Sequence, residues 1–375
     1  MNKEVLVILI MSIFLISIVT IFGTSRNLTT FANGSDSNTN AATIQENQSV
    51  SNASAGYVKY TLNLVSNTLL NGNVPIVNGF HPYGILYDPS NGYIYIAAEY
   101  SHTIIVINGN TSTVIGSIYL GMVLPLMMAY NPQNGYIYVA TFIPITVHSG
   151  SATIYTYKTM VTIINPETAT VIGNITIGRT IEAIIYDPSN GYIYVAHNPN
   201  IVSVVNPKTD TIIKNITLSS CPHAMVYDPQ NGYIYVATYN SLTIIDGKTN
   251  AVIGVIALNS TGTGVVYDPQ NGYIYVAGND SIIYVVNPET NSIIRENKVG
   301  IYPREIMYDQ SNGYIYVTGR SPLCTIVVIN PETNSVIGKI EKGFSIGMIT
   351  YDPQNGYIYV GCYSPTNITI INGET

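Results

Sequence analysis

Short apolar runs alternate with polar turns along most of the chain, and the segment from Ile85 to Ile118 shows one unit of the pattern. Its first apolar run ends at the turn Asp88 to Gly92, where proline presets φ and Asn-Gly can enter the left-handed region. The returning run, Tyr93 to Ala97, has tyrosines on one face and isoleucines on the other, so both faces can be buried. Two further runs follow around a second Asn-Gly turn, Thr103 to Ile107 and Thr113 to Ile118. The unit is predicted to be a four-stranded antiparallel sheet.

The unit is repeated. The segment Asn-Gly-Tyr-Ile-Tyr starts at Asn91, Asn134, Asn190, Asn231, Asn271, Asn312 and Asn355, with spacings of 43, 56, 41, 40, 41 and 43 residues. A sheet that is apolar on both faces cannot bury them alone, so the copies must stack, and four strands in about 40 residues match a propeller blade. A parallel β-helix is the rival array, but these units turn back in tight hairpins. The sequence therefore predicts an all-β, seven-bladed β-propeller of four-stranded antiparallel blades.

The two ends of the repeat region look complementary. The segment from Ile370 to Thr375 corresponds to the third strand and turn of a unit, and Asn67-Thr68-Leu69-Leu70 resembles the start of a fourth strand. We expect an N-terminal strand to complete the last blade, which leaves no long edge exposed.

The N-terminal region predicts export. The run from Val5 to Phe22 is almost wholly apolar and follows Lys3, as in a Sec signal peptide or an uncleaved signal anchor, and both readings stay open. The expected organisation is a signal peptide or membrane anchor in 1–25, an Asn/Ser/Thr-rich linker in 26–56 and the propeller in 57–375. Four Asn-x-Ser/Thr sequons in the linker are candidate glycosylation sites: Asn27, Asn33, Asn47 and Asn52.

The amino-acid composition limits the classes of partner that the protein can bind. Charged residues make up only 9% of the chain, the net charge is −7 and no basic run is present, which argues against nucleic-acid binding. The 32 tyrosines supply hydrogen-bonding groups without charge, and three of them recur in each of the seven units, where we expect them to pack between blades. With so few charges, folding is expected to depend little on pH.

The pattern Tyr-Asp-Pro-x-Asn-Gly-Tyr-Ile-Tyr-Val-Ala, followed by Ile-Asn-Pro-Glu-Thr and Val-Ile-Gly, resembles the YVTN-type β-propeller repeat of cell-surface proteins, especially archaeal surface-layer-associated ones. The resemblance covers about Asn67 to Thr375. That family usually has Asn after Val-Ala, and here only Asn198 and Asn279 keep it. The resemblance implies the fold and a surface or adhesion role, and it carries over no active-site residue.

The repeats disagree most where the first strand begins and the second strand ends. Both places lie on the face opposite the Asp-Pro-x-Asn-Gly turns, where propellers have their central binding site. Four residues before the first repeat Tyr, the seven units carry Tyr83, Leu126, Glu182, His223, Thr263, Arg304 and Gly347. After the second strand they carry Glu99, Phe142, Asn198, Tyr239, Asn279, Arg320 and Tyr363. The candidate binding residues at this channel mouth are Tyr83, Glu99, Glu182, His197, His223, Arg304 and Arg320.

Other chemistry is sparse. The histidines and glutamates of this set lack close metal-ligand spacing, so no metal site, catalytic residue or cofactor is predicted. Cys324 and Cys362 lie toward the same face, and a disulfide between them is possible in an exported protein. Between Thr141 and Lys158, blade two has an insertion that is predicted to form an extra hairpin. This hairpin either caps the channel mouth or acts as a binding loop.

These observations favour an exported, non-enzymatic propeller at the cell surface or outside the cell. It would act as an interaction scaffold for a glycan, a peptide or a surface-layer partner, held to the membrane by its N-terminal segment if that is uncleaved. The alternative is an extracellular propeller enzyme, a lyase or lactonase-type hydrolase with a metal at the channel mouth.

Overall fold

The structure is a computed structural model that describes residues 44–45, 58–62, 69–70, 74–75, 81–149, 152–321, 323–341, 345–364 and 366–373. These ranges fall within one compact unit, Asn40–Thr375. The apolar N-terminal run, most of the expected linker and its four candidate glycosylation sites lie outside the described residues. The structure confirms the predicted all-β fold, a seven-bladed propeller of four-stranded antiparallel sheets.

Six blades are complete within the repeat region. Blade one consists of Pro82–Asp88, Tyr93–Ala98, Thr103–Asn108 and Thr113–Tyr119. Blade two consists of Leu124–Asn131, Tyr136–Ser149, Ala152–Asn165 and Thr170–Thr176. Blade three consists of Ile181–Asp187, Tyr192–His197, Ile201–Asn206 and Thr211–Thr217.

Blade four consists of Pro222–Asp228, Tyr233–Thr238, Ser241–Asp246 and Ala251–Ala257. Blade five consists of Gly262–Tyr267, Ile274–Gly278, Ile282–Asn287 and Ser292–Lys298. Blade six consists of Tyr302–Tyr308, Ile315–Ser321, Leu323–Asn330 and Ser335–Glu341. A 3₁₀ turn, Glu99–Ser101, follows the second strand of blade one.

Blade seven consists of Ser345–Asp352, Tyr357–Ser364 and Thr366–Asn372, and the backbone of Val58–Leu62 pairs antiparallel with the last of these strands. Ile44–Gln45, within the expected linker, pairs in turn with Val58–Leu62. Leu69–Leu70 pairs with Val74–Pro75 instead. Leu69–Leu70, the described part of the segment that resembles a fourth strand in sequence, is thus paired elsewhere than with blade seven. Closure of the ring by the N-terminal strand stays a prediction.

The repeated turns form a buried polar network. In blade three, Asp187 accepts hydrogen bonds from the Ser189 backbone N–H at 2.8 Å and from Asn190 Nδ2 at 2.8 Å. Asn190 Nδ2 also donates to the hydroxyl of Tyr194 at 2.8 Å. The Asn-to-Tyr bond recurs in all seven blades, at 2.8 to 3.3 Å. The eight largest fully buried side chains are tyrosines, and seven of them belong to this network.

The same turns join neighbouring blades. Asn190 of blade three donates to the Gly247 carbonyl of blade four at 2.8 Å, and Asn355 of blade seven donates to the Gly109 carbonyl of blade one at 2.7 Å. Glycine is required at the acceptor because a methyl group on Gly109 would lie 2.2 Å from Asp352 Oδ2. The Asn355 bond therefore connects the last blade to the first.

Apolar packing closes the ring at the same seam. One buried cluster combines Ile94, Ile96 and Ile105 of blade one with Tyr359 and Ile370 of blade seven. Isoleucine and valine dominate the other inter-blade clusters as well, for example Ile193 and Val195 packed with Ala140 of blade two. Each blade thus buries its faces against its neighbours, as the two-sided apolar pattern predicts.

Ring closure by the N-terminal strand is tested with two proline variants, Tyr60→Pro and Thr61→Pro. The N–H groups of successive strand residues point to opposite sides, so one of the two changes removes a hydrogen bond to Thr366–Asn372. We expect at least one variant to lower the melting temperature by several degrees, with Ser51→Pro in the linker as the control. Unchanged melting of both strand variants would contradict closure by this strand.

The buried turn carboxyls predict how stability changes with pH. Burial raises the pKa of Asp187, Asp228, Asp268, Asp309 and Asp352 above the usual value. Between the pKa of these groups in the unfolded chain and their higher pKa in the folded protein, the folded state binds more protons, so stability increases as pH falls through this window. Partly exposed Asp246, whose pKa is lowered by the hydrogen bond from the Thr249 hydroxyl, has a weak effect in the opposite direction.

We therefore expect the melting temperature to hold or rise by a few degrees when the pH is lowered from neutral to about 4, near the ordinary pKa of Asp. Calorimetry at several pH values in that range measures it. A steady fall in melting temperature across the range would show that these carboxyls do not dominate the pH dependence. The sequence predicts only a weak dependence, and the structure adds its direction.

Candidate binding site on the central channel

The first strands of successive blades contact one another and line the centre of the ring. Each of them has a β-bulge near its start, where the pairing register shifts by one residue. In blade three the shift falls between Ile181 and Ala183, so Glu182 is the extra residue. His223, Thr263 and Arg304 occupy the same bulge in the next three blades. Bulges re-aim a side chain without ending the sheet, which is why the variable residues project into the channel.

These side chains surround a cavity at the centre of the ring. One part, of about 210 Å³, is lined by Tyr83, Met127, Glu182, Thr261, Thr263, His223, Arg304, Glu305 and Met348. A second part, of about 120 Å³, shares five of these residues and extends toward Met128, Met225 and Val265. The structure thus brings together Tyr83, Glu182, His223 and Arg304, four of the seven binding residues selected from the sequence.

Two of the positions selected from the repeat register are displaced by one residue. In blades two and seven the sequence alignment gives Leu126 and Gly347, but the cavity is lined by Met127 and Met348. Leu126 is instead buried in the core between blades two and three, and Gly347 is buried as well. The bulges in these blades leave two residues opposite one on the second strand. Counting back from the repeat tyrosine cannot show which of the two faces the channel.

Glu182 is held by a short chain of hydrogen bonds. Asn198, directly after the second strand of blade three, donates through Nδ2 to Glu182 Oε1 at 2.9 Å. The thiol of Cys221 donates to Asn198 Oδ1 at 2.6 Å. Burial raises the pKa of the Glu182 carboxyl, while the His223 side chain and the Asn198 hydrogen bond act in the opposite direction. Asn198 therefore positions Glu182. The variable position of Asn198 in the repeat indicates that it has a specific role, but asparagine as a residue type does not show which one.

Two further side chains shape the chemistry of the cavity, His223 and Tyr83. His223 Nε2 is buried and has no hydrogen-bond partner among the described residues. Burial raises the pKa of the Tyr83 phenol, Arg304 opposes this, and Glu182, Glu99 and Glu305 add to it. The phenol, the guanidinium and the carboxylates are thus close enough to interact electrostatically. The cavity offers donors and acceptors of both charge signs.

Glu305 is the functional candidate that sequence reasoning missed. It lies next to the variable position of blade six and lines both parts of the cavity. Burial raises the pKa of its carboxyl to about 7, although the Ile306 backbone and the Arg304 side chain act against the shift. In the sequence, a Glu next to an Arg is typical of two exposed surface residues. The bulge of blade six turns both Arg304 and Glu305 toward the channel.

The other three candidates lie elsewhere. His197 is buried inside blade three, with Nε2 2.8 Å from Ser203 Oγ and Nδ1 3.2 Å from the Asn198 carbonyl oxygen. Glu99 is buried after the second strand of blade one, with Oε2 2.9 Å from His81 Nδ1. Arg320 is exposed and pairs across the strand with Tyr302. None of these residues lines the described cavity.

The insertion of blade two extends its second and third strands into one long hairpin, paired from Ile137–Ile164 out to Ser149–Ala152. The predicted extra hairpin is therefore a continuation of the blade. Its base carries an edge-to-face contact between Phe142 and Tyr157, with ring centroids 5.3 Å apart. The predicted Cys324–Cys362 disulfide stays untested, because the side chain of Cys324 lies outside the described residues, whereas Cys362 is buried with Sγ 3.4 Å from Thr369 Oγ1.

No group of three His, Cys, Asp or Glu side chains within the described part of the chain has an arrangement that would hold a metal ion. No helix among the same residues is long and apolar enough to cross a membrane.

Comparisons with known proteins identify the fold. No protein-family model and no curated protein matches the chain. Among solved structures, hydrazine synthase from Kuenenia stuttgartiensis is similar, with a TM-score of 0.67, 16% identical residues and coverage of 81% of this chain and 99% of that chain. At this level of identity the similarity supports the propeller architecture alone.

Glu305→Gln tests the buried carboxyl. Above pH 7 the native carboxyl is charged in a poorly solvated place, whereas glutamine keeps the shape without the charge. We expect the variant to be more stable than the native protein by roughly 1–3 kcal/mol at pH 8, with little difference at pH 5. Urea unfolding at both pH values measures this. A stability difference that is the same at pH 5 and pH 8 would refute the assignment.

Proposed function

We propose that the protein is an exported scaffold at the cell surface and that it binds a partner through the face around the central cavity. The partner is a glycan, a peptide or a neighbouring surface-layer component. The apolar run before the linker supports export, and the YVTN-type repeat pattern supports a surface role.

The observation that carries the proposal is the contrast between the two faces of the ring. We call the face with the Asp-Pro-x-Asn-Gly turns the turn face, and the face where first strands begin and second strands end the variable face. The turn face repeats nearly the same buried hydrogen-bond network in seven blades, so the polar side chains of this network already bind one another and hold the fold. On the variable face the residue type at the bulge differs between neighbouring blades, and Glu182, His223 and Arg304 converge there on one cavity. Variation on a conserved scaffold is the arrangement expected of a recognition surface.

The test measures binding of the purified protein to cell envelopes isolated from the producing organism. Arg304→Ala removes a cation from the cavity, and Arg295→Ala removes the same charge from an exposed site on the edge strand of blade five. We expect the first change to weaken binding at least tenfold, as the loss of one charged hydrogen bond allows, and the second to leave it unchanged. No binding by the native protein, or equal binding by both variants, would overturn the proposal.

A further inference from the structure

The exposed tyrosines of the described part of the chain lie on one side of the molecule. Among the described side chains, five tyrosines are exposed, with accessibilities from 49% to 66%: Tyr100, Tyr119, Tyr157, Tyr239 and Tyr302. Tyr100 and Tyr239 follow the second strands of their blades, Tyr302 begins a first strand and Tyr119 ends a fourth strand. Tyr157 lies at the base of the blade-two hairpin. All five positions are on the variable face or at its rim.

The repeat tyrosines behave differently. Those of the turn network, such as Tyr95 and Tyr194, are fully buried, and their neighbours in the repeat, such as Tyr93 and Tyr192, are half-buried. The need for inter-blade packing therefore explains the buried phenols but not the five exposed ones. Large aromatic rings left in water on one face mark a contact surface, because each ring offers a wide apolar area together with a hydroxyl.

The rings near blades one and two form a group. The Tyr100 ring lies 5.5 Å from the His81 ring, and His81 is fixed by its contact with buried Glu99. Tyr157 is fixed by its edge-to-face contact with Phe142 and lies close enough to Tyr100 to affect it electrostatically. These rings are anchored before any ligand binds, which lowers the ordering entropy that binding must overcome.

The central cavity is small, and its lining mixes polar and charged side chains with Met127 and Met348. At about 210 Å³, it holds about seven water molecules at roughly 30 Å³ each, which is the scale of one sugar ring. An anionic ligand would face Glu182 and Glu305, and a cationic ligand would face Arg304. A neutral molecule with several hydroxyls suits both, because hydroxyls donate to carboxylates and accept from a guanidinium or an imidazole.

We propose that the variable face is a carbohydrate-binding site, in which one neutral sugar unit of a glycan enters the central cavity while neighbouring units stack on the exposed tyrosines. The C–H face of a pyranose packs on an aromatic face, whose π-electrons attract the slightly positive hydrogens. Glu182, His223 and Arg304 bind the hydroxyls. This inference rests on the proposed function and names the class of its ligand.

The first experiment uses a defined probe. Saturation-transfer NMR on the purified protein measures binding of the methyl glycosides of glucose, galactose, mannose and N-acetylglucosamine. We expect at least one of them to bind, Glu182→Gln to weaken it tenfold or more, and Lys248→Ala on the turn face to leave it unchanged. Binding of none of the four glycosides would overturn the sugar site.

The second experiment uses cell envelopes with and without mild periodate oxidation, which cleaves the vicinal diols of sugars. We expect oxidation to abolish binding. Tyr239→Ala and Tyr302→Ala should each weaken binding to untreated envelopes at least tenfold, whereas the matching Phe variants and Ile253→Ala, which removes an exposed apolar side chain from an edge strand, should not.

The outcomes separate the two proposals. Binding that survives periodate but is lost after protease treatment of the envelopes would overturn the carbohydrate ligand and leave the surface scaffold standing, with a protein as its partner. Glycoside binding without envelope binding would support the sugar site and overturn the surface role.

Discussion

Each blade is held in register by a carboxyl or amide, an asparagine and a phenol buried together at one turn. The asparagine Nδ2 donates to the tyrosine hydroxyl four residues on in every blade, and in three blades it also reaches the carbonyl of the next blade. A buried group that loses such a partner costs about 1–3 kcal/mol, so the motif tolerates little change at any of the seven positions. Asp268 Oδ2 and Asp352 Oδ2 are even buried without a hydrogen-bond partner among the described residues. Hydrogen bonds among buried polar side chains therefore hold the turns of a chain in which only 9% of the residues are charged.

This constraint explains where variation is allowed. The turn network fixes one end of the first two strands, while the other end has only to continue the ladder past a bulge. A bulge residue has no partner directly opposite it on the next strand, so its side chain can change without disturbing the packing of the blade. Blades three to six therefore carry four different residues there: Glu182, His223, Thr263 and Arg304. Scaffold and recognition surface are thereby separated by the length of a strand.

Much of this organisation can be predicted from the sequence. The period of the Asn-Gly-Tyr-Ile-Tyr repeat predicts seven blades, and the insertion of blade two predicts its hairpin, because turn residues and apolar alternation are local signals. The face that carries the variable residues follows from strand direction alone. Tyr83, Glu182, His223 and Arg304 were found in this way.

The rest depends on contacts that local patterns do not specify. A bulge shifts the register by one residue, and a shift of one reverses which side chain faces the channel, so Met127, Met348 and Glu305 replace or join the residues expected there. His197 occupies an alternating position that turns into the blade, where Ser203 binds it. The strand that pairs with blade seven begins at Val58 rather than near Asn67, because short apolar runs such as Leu69-Leu70 are too common to identify one strand.

The residues of the turn face hold the blades together, and the residues of the variable face bind the partner. Hydrogen–deuterium exchange of the purified protein, with and without isolated cell-envelope material, tests this division of roles between the two faces most directly. We predict new protection at the starts of the first strands, at the residues that follow the second strands and at the base of the blade-two hairpin, with exchange at the Asp-Pro-x-Asn-Gly turns unchanged. Protection concentrated at the turns or along the outer edge strands would contradict the account.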